Sequence, residues 1–195
     1  CMYFSALKEN DKLGIDFSRV GTAPRGVPYK TNNRNIVMAW DIADGLPNIF
    51  GKCDIIYTET AWSRGLRKYN EMAKSHTSFD TYMQAMSILP EVTGKPCIFV
   101  CGKEGSKYFK NTSYSMTINL NGKPAIGYVF NTERIYTNRT TELLLRTLAK
   151  EYDCVGDPCC GLGSTGRVFN EAGKIAVMSD YNGKCIRFLL SQNNR

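Results

Sequence analysis

The stretch from Asp153 to Arg167, Asp-Cys-Val-Gly-Asp-Pro-Cys-Cys-Gly-Leu-Gly-Ser-Thr-Gly-Arg, constrains this chain more than any other. It reads as a short strand, a tight glycine turn and the start of a helix. Gly161, Gly163 and Gly166 stand in the G-x-G-x-x-G spacing. Glycine has no Cβ, so backbone here can approach a ligand closely, and a helix start points N–H groups at it. Glycine is common in turns, so the spacing gains weight from its surroundings. Val155 precedes it, helix-compatible residues follow it, and an acid, Asp180, closes the next apolar run. The remaining chain reads as the other half of a fold built around this turn.

Short apolar runs predict strands at Ile36–Trp40, Cys53–Tyr57, Pro96–Cys101, Tyr152–Gly156 and Lys174–Ser179. Thr112–Leu120 and Pro124–Asn131 alternate loosely about Asn121-Gly122, a strong hairpin signal. Phe79, Tyr82, Met83, Met86 and Leu89 fall at helical spacing, with Ser78 as cap and Pro90 as stop. Such a stripe is core far more often than a cofactor site. Thr140 or Thr141 caps a helix carrying Leu143, Leu144, Leu145 and Leu148, and helices are also expected over Ser164–Ala172, stopped at Gly173, and over Cys185–Leu190. Asp16–Asn35 reads as a long loop, and the basic stretch Ser63–His76 as helix or loop. The sum is about seven strands alternating with helices, which predicts a largely parallel three-layer α/β sheet with an antiparallel element.

With 195 residues, 43% of them hydrophobic, the chain can bury one core and has little room for a second domain. The charged fraction of 22% is ordinary for a folded protein, and no apolar run approaches membrane-spanning length. Cys1–Leu7 is too short for a signal peptide, and a cytoplasmic location is expected. The net charge of +7 favours a polyanionic partner. The eight cysteines lack zinc-site spacing and His76 is the one histidine, so buried free thiols are expected and no metal.

In an open α/β sheet the ligand sits outside the C-terminal strand ends. Asp41, Thr58–Trp62, the glycine turn and Asp180 all fall at such ends. These residues carry a likeness. Asp157-Pro-Cys-Cys-Gly-Leu-Gly-Ser-Thr-Gly-Arg resembles the D-P-F-x-G-S-G-T-T-G motif of DNA methyltransferases that modify adenine N6 or cytosine N4. Asn138–Arg146 resembles the segment those enzymes place just before it, and Lys174–Asn182 their next strand with its ribose-binding acid. Met38–Pro47 and Cys53–Trp62 are similar to the strand before the catalytic motif and to that motif itself. The catalytic half precedes the cofactor half, as in the circularly permuted classes. The likeness runs from about Asn35 onward.

The resemblance implies a Rossmann-like methyltransferase fold in a single domain, with 1–137 as the catalytic half and 138–195 as the cofactor half. It implies S-adenosylmethionine as cofactor and nucleic acid, DNA first, as partner. Asp157, Pro158, Cys159, Gly161, Gly163 and Thr141 would lie along the cofactor, with the turn's N–H groups holding its carboxylate or simply letting it pass. Asp180 would accept from the ribose hydroxyls and Asp41 from the adenine amino group. The family's catalytic tetrapeptide is Asp, Asn or Ser, then Pro-Pro, then an aromatic. Here Glu59-Thr60-Ala61-Trp62 stands in its place. Glu59 can still accept a hydrogen bond from the target amino group and Trp62 can still stack on a flipped base, but both prolines are missing. A chain of this length leaves Asp16–Asn35 and Ser63–Lys74 as the segments for phosphate contacts, so target recognition is weak or comes from a protein partner or a second copy. Three other readings stand beside this one: a methyltransferase-like protein without ordinary methylation activity, a nicotinamide enzyme, and a cysteine enzyme using Cys159 or Cys160 with His76, since a helix start lowers thiol pKa.

Overall fold

Short, mostly apolar runs of four to six residues build the centre of the sheet. The computed structural model describes residues 20–60 and 76–192. Its strands are β1 (Pro28–Lys30), β2 (Ile36–Ala39), β3 (Ile55–Glu59), β4 (Cys97–Cys101), β5 (Tyr114–Leu120), β6 (Lys123–Phe130), β7 (Cys154–Asp157) and β8 (Ile175–Asp180). They form one sheet in the order β1-β2-β8-β7-β3-β4-β6-β5. The five central strands β2, β8, β7, β3 and β4 are parallel, while β1 and the β5–β6 hairpin run antiparallel at the two sides. Every residue of β4 and β7 is buried, as expected of strands covered on both faces. On the edge strand β5, exposed and covered residues alternate instead.

The eighth strand is β1, inside the segment expected to be a long loop. Three residues are too few to show a period, and Pro28 disguises them. A proline is tolerated here because it opens an edge strand. The hairpin turn is as expected: Asn121 and Gly122 have φ of 51° and 79°, the pair of positive values that a two-residue turn matched to strand twist requires.

The helices are α1 (Phe79–Thr93), α2 (Thr141–Glu151), α3 (Ser164–Glu171) and α4 (Gly183–Ser191). Ser78 caps α1 by accepting from the Thr81 N–H, and α1 buries Tyr82, Met83, Met86 and Leu89. Pro90 does not stop this helix, contrary to expectation. It costs one backbone hydrogen bond in the last turn, and the helix runs on to Gly94, whose left-handed backbone closes it with an N–H to the Pro90 carbonyl. Thr140 caps α2.

Side chains of each strand alternate between two cores. Tyr57, Ile98, Leu144, Leu148 and Phe169 lie in one. Ile56, Met83, Met86, Phe99 and Phe109 lie in the other, with Cys97 and Cys101 on this same face. The seven cysteines among the described residues are all free. Burial pushes Cys97 and Cys101 up to about 12, so they stay protonated. No helix among the described residues is long and apolar enough to cross a membrane. The sheet order sets the C-terminal ends of β3, β7, β8 and β2 side by side.

Candidate functional site

The turn after β7 is fixed from three sides. Asp157, the last residue of β7, is only 2% exposed. Its carboxylate accepts from the Thr58 hydroxyl on β3 (2.7 Å), the Thr165 hydroxyl on α3 (2.6 Å) and the Cys159 N–H (3.1 Å). Burial pushes this carboxyl up to about 6, against the pull of those donors. The turn is then stitched to β8. The Cys160 N–H donates to the Ser179 carbonyl (2.9 Å), and the Ser179 hydroxyl to the Pro158 carbonyl (3.2 Å).

Gly161 and Gly163 have φ of 52° and 79°, a region that costs other residues steric energy. A Cβ on Gly163 would come within 2.5 Å of Leu189 Cδ2 on α4, whereas one on Gly161 would meet nothing within 4 Å. The Gly161 N–H donates to Asp180 Oδ2 (2.9 Å) and the Gly163 N–H to the Cys160 carbonyl (2.8 Å). Neither N–H is therefore free to hold a ligand carboxylate, which leaves the second expectation for these glycines, close passage of a ligand.

Asp180 ends β8 and is 4% exposed. Besides Gly161 it accepts the Asn182 N–H on Oδ1 (2.8 Å). Burial pushes it up to about 6, opposed by these two N–H bonds and reinforced by Asp157 and Asp41. Asp41 follows β2. Its Oδ1 accepts the Ala43 N–H (3.0 Å) and its Oδ2 the Thr77 hydroxyl (2.7 Å). Cys159 is half-buried with its Sγ 3.2 Å from the Tyr82 hydroxyl. Burial pushes both the Cys159 and Cys160 thiols up, opposite to the lowering that a nucleophilic thiolate at a helix start requires.

Glu59 ends β3, the strand beside β7. Its Oε1 accepts the Tyr57 hydroxyl (3.0 Å), while its Oε2 is buried with no hydrogen-bond partner among the described residues. Burial pushes this carboxyl up to about 7; the Tyr57 hydrogen bond opposes the shift, Asp157 adds to it, and the Thr141 hydroxyl opposes it. Thr141 opens α2 and is 8% exposed. The Thr60 N–H donates to the Val100 carbonyl on β4 (2.9 Å), extending the ladder one residue past the strand. Ala61, Trp62 and the Ser63–Lys74 segment lie outside the described residues.

The structure thus brings Glu59, Thr60, Thr141, Asp157, Pro158, Cys159, Gly161, Gly163, Asp180 and Asp41 to one edge of the sheet. Sequence reasoning gave no site role to Tyr57, Thr165 and Asn182, and it placed Thr58 at the site only within the Thr58–Trp62 segment, without its bond to Asp157. Tyr57 was legible as the residue two before Glu59 on the same strand face. Asn182 caps α4 through Oδ1, accepting from the Lys184 N–H, and its Nδ2 is buried without a hydrogen-bond partner among the described residues.

No protein-family model and no curated protein matches the sequence. Among solved structures the chain is similar to M1.HpyAVI, with a TM-score of 0.53 and 12% identity over 82% of this chain and 98% of that one. It is equally similar to the M1.HpyAVI–SAM complex, with a TM-score of 0.53 and 10% identity over the same shares, 82% and 98%. A protein from Thermus thermophilus described as a DNA modification methylase gives a TM-score of 0.48 at 11% identity, over 79% of this chain and 91% of its own. The likeness is one of fold: a mixed α/β, Rossmann-like methyltransferase architecture.

Proposed function

We propose that this chain is an S-adenosylmethionine-dependent methyltransferase acting on an exocyclic amino group of a base in nucleic acid, with DNA as the preferred substrate. One observation carries the reading. On adjacent strands stand a glycine turn anchored by two buried acids and a carboxylate whose Oε2 has no partner among the described residues. The residues present fit an adenosyl group. The space beside Gly161 is open, and Asp180 spends one lone pair per oxygen on backbone N–H groups, leaving others for ribose hydroxyls. Asn182 adds a buried donor. When bound, S-adenosylmethionine supplies a methyl group on a sulfonium, already a good leaving group.

The chain's own residues then align and deprotonate. Asp157 holds the turn to β3 and α3 rather than meeting ligand. Asp180 orients the ribose, and Asp41 accepts from the adenine amino group while its oxygens keep Thr77 and the Ala43 N–H. Pro158, Cys159 and Thr141 line the path between turn and acceptor. Glu59 Oε2 accepts from the target amino group and takes its proton, with a carboxyl poised near neutral pH for that task. Trp62 stacks on the base, with Thr60 and Ala61 shaping the approach in place of the prolines. In this reading residues 1–137 form the catalytic half, residues 138–195 the cofactor half, and the protein works in the cytoplasm.

A second reading has a specific observation behind it. A proline at position 60 would have no N–H to give Val100, so the Thr60 ladder bond is a geometry unavailable to the Pro-Pro motif. This favours a methyltransferase-like protein that binds cofactor or nucleic acid without ordinary methylation, as the partner of another subunit or of a second copy. Calorimetric titration with S-adenosylmethionine, then incubation with unmethylated DNA and digestion to nucleosides, separates the two. Binding with N6-methyladenine or N4-methylcytosine supports the first. Binding without a methylated nucleoside leaves the second, and no binding overturns the first and confines the second to a protein that binds nucleic acid alone.

A further inference from the structure

Beyond Glu59 this edge of the sheet continues through the end of β4, the start of β6 and the end of β5, and four cations stand along it. Lys103 and Lys107 bound the single turn that follows β4. Lys123 opens β6, and the Cys101–Ile126 register sets it past the end of β4. Arg139 immediately precedes the α2 cap, and its carbonyl accepts the Asn119 N–H (2.8 Å), which pins it to the end of β5. All four side chains are exposed. None has an ion pair among the described residues. Three acids stand by this stretch: Glu104 is half-buried, Asp80 takes the Tyr108 hydroxyl, and Glu142 in the first turn of α2 pairs with Arg146.

The opposite edge of the same strands differs. There Lys95 donates to the Gly51 and Cys53 carbonyls, Lys174 pairs with Asp153, and Arg134 pairs with Glu151 at 2.6 Å. Below β3, β4 and β7 these three cations are taken up by the fold, while Lys52 and Lys150 stay exposed; above, all four are held out in solvent, on the edge that carries the unpartnered oxygen of Glu59. A row of exposed charges with no internal counter-ion is a binding surface for a polyanion.

We infer that Lys103, Lys107, Lys123 and Arg139 form a phosphate-contacting rim that carries the backbone of a nucleic acid whose base enters at Glu59. The inference rests on the reading of Glu59 as the acceptor of a nucleic-acid base, and it adds a contact surface outside the Asp16–Asn35 and Ser63–Lys74 segments. These residues grip phosphates, so the rim fixes the strand's position without reading sequence.

The test is binding of a labelled unmethylated DNA duplex, followed by fluorescence anisotropy across a salt series without cofactor. The variant is K103Q/K107Q/K123Q/R139Q. Its counterpart is K52Q/K150Q, which removes two exposed cations on the opposite edge, one before β3 and one at the end of α2. Each phosphate contact contributes about 0.9 to the slope of log affinity against log salt, so the rim variant should lose about three to four from that slope and bind roughly tenfold or more weakly, with K52Q/K150Q unchanged. A rim variant with the wild-type slope, an equal loss in both variants, or no duplex binding by the wild type overturns the rim. Duplex bound through the rim without any methylated nucleoside defeats the methyltransferase reading and leaves the rim standing. Methylation with an unaltered rim slope defeats the rim alone.

Discussion

Glu59 holds one carboxylate oxygen against Tyr57 and keeps the other dry, and both features have measurable consequences. Folded Glu59 keeps its proton up to about pH 7, whereas its ordinary value is 4.5. Between those values the native state binds more protons than the unfolded chain, so this group's contribution to stability falls as pH rises through the window. The cost is absent at about pH 4 and complete above about pH 7. E59Q carries no such cost. It should be more stable than the wild type by about 1–3 kcal/mol at pH 8, with the difference gone by about pH 4, read from urea unfolding at each pH. The same variant should lose about 100-fold or more in methyl transfer while binding S-adenosylmethionine as before. Gly163 gives a second test at this scale. G163A forces a side chain into a positive-φ position and towards Leu189, and should cost about 1–2 kcal/mol by thermal unfolding.

At the scale of elements, Asp157 ties β3, β7 and α3 through two hydroxyls. T58V and T165V each remove a donor to a buried carboxyl and should each destabilise by about 1–2 kcal/mol in denaturant unfolding. Their effects should depart from additivity in the double variant, because both donors serve one acceptor. This tie also marks where reading the sequence stops. The strands β2, β4, β7 and β8, the hairpin and all four described helices announce themselves through periods, caps and turn residues. The Thr58–Asp157 bond spans 99 positions and the Gly161–Asp180 bond 19, and no local pattern signals either. Asp180 was legible as a strand-end acid. That it also holds the Gly161 N–H, and so withholds that N–H from a ligand, follows only from the fold. Strand β1 hid because three edge residues carry no period, and Pro90 misled because one proline in a final turn costs a single bond.

For the molecule as a whole, the seven described cysteines are dispersed over both cores and the site, none of them bridged. The thiolate is the reacting species, and burial raises the Cys97, Cys101, Cys159, Cys160 and Cys185 thiols alike, so access decides among them. Alkylation of the native protein at neutral pH should modify Cys159, the half-buried one, ahead of the other four, as measured by peptide mass spectrometry over time. Equal rates at all five positions would mean that the cores open together with the site. The fold consequently carries its own set of footprinting probes. Labelling times at Cys97 and Cys101 chart the opening of one core, those at Cys160 and Cys185 the opening around the glycine turn, and no engineered label is needed to learn whether the two halves breathe as one.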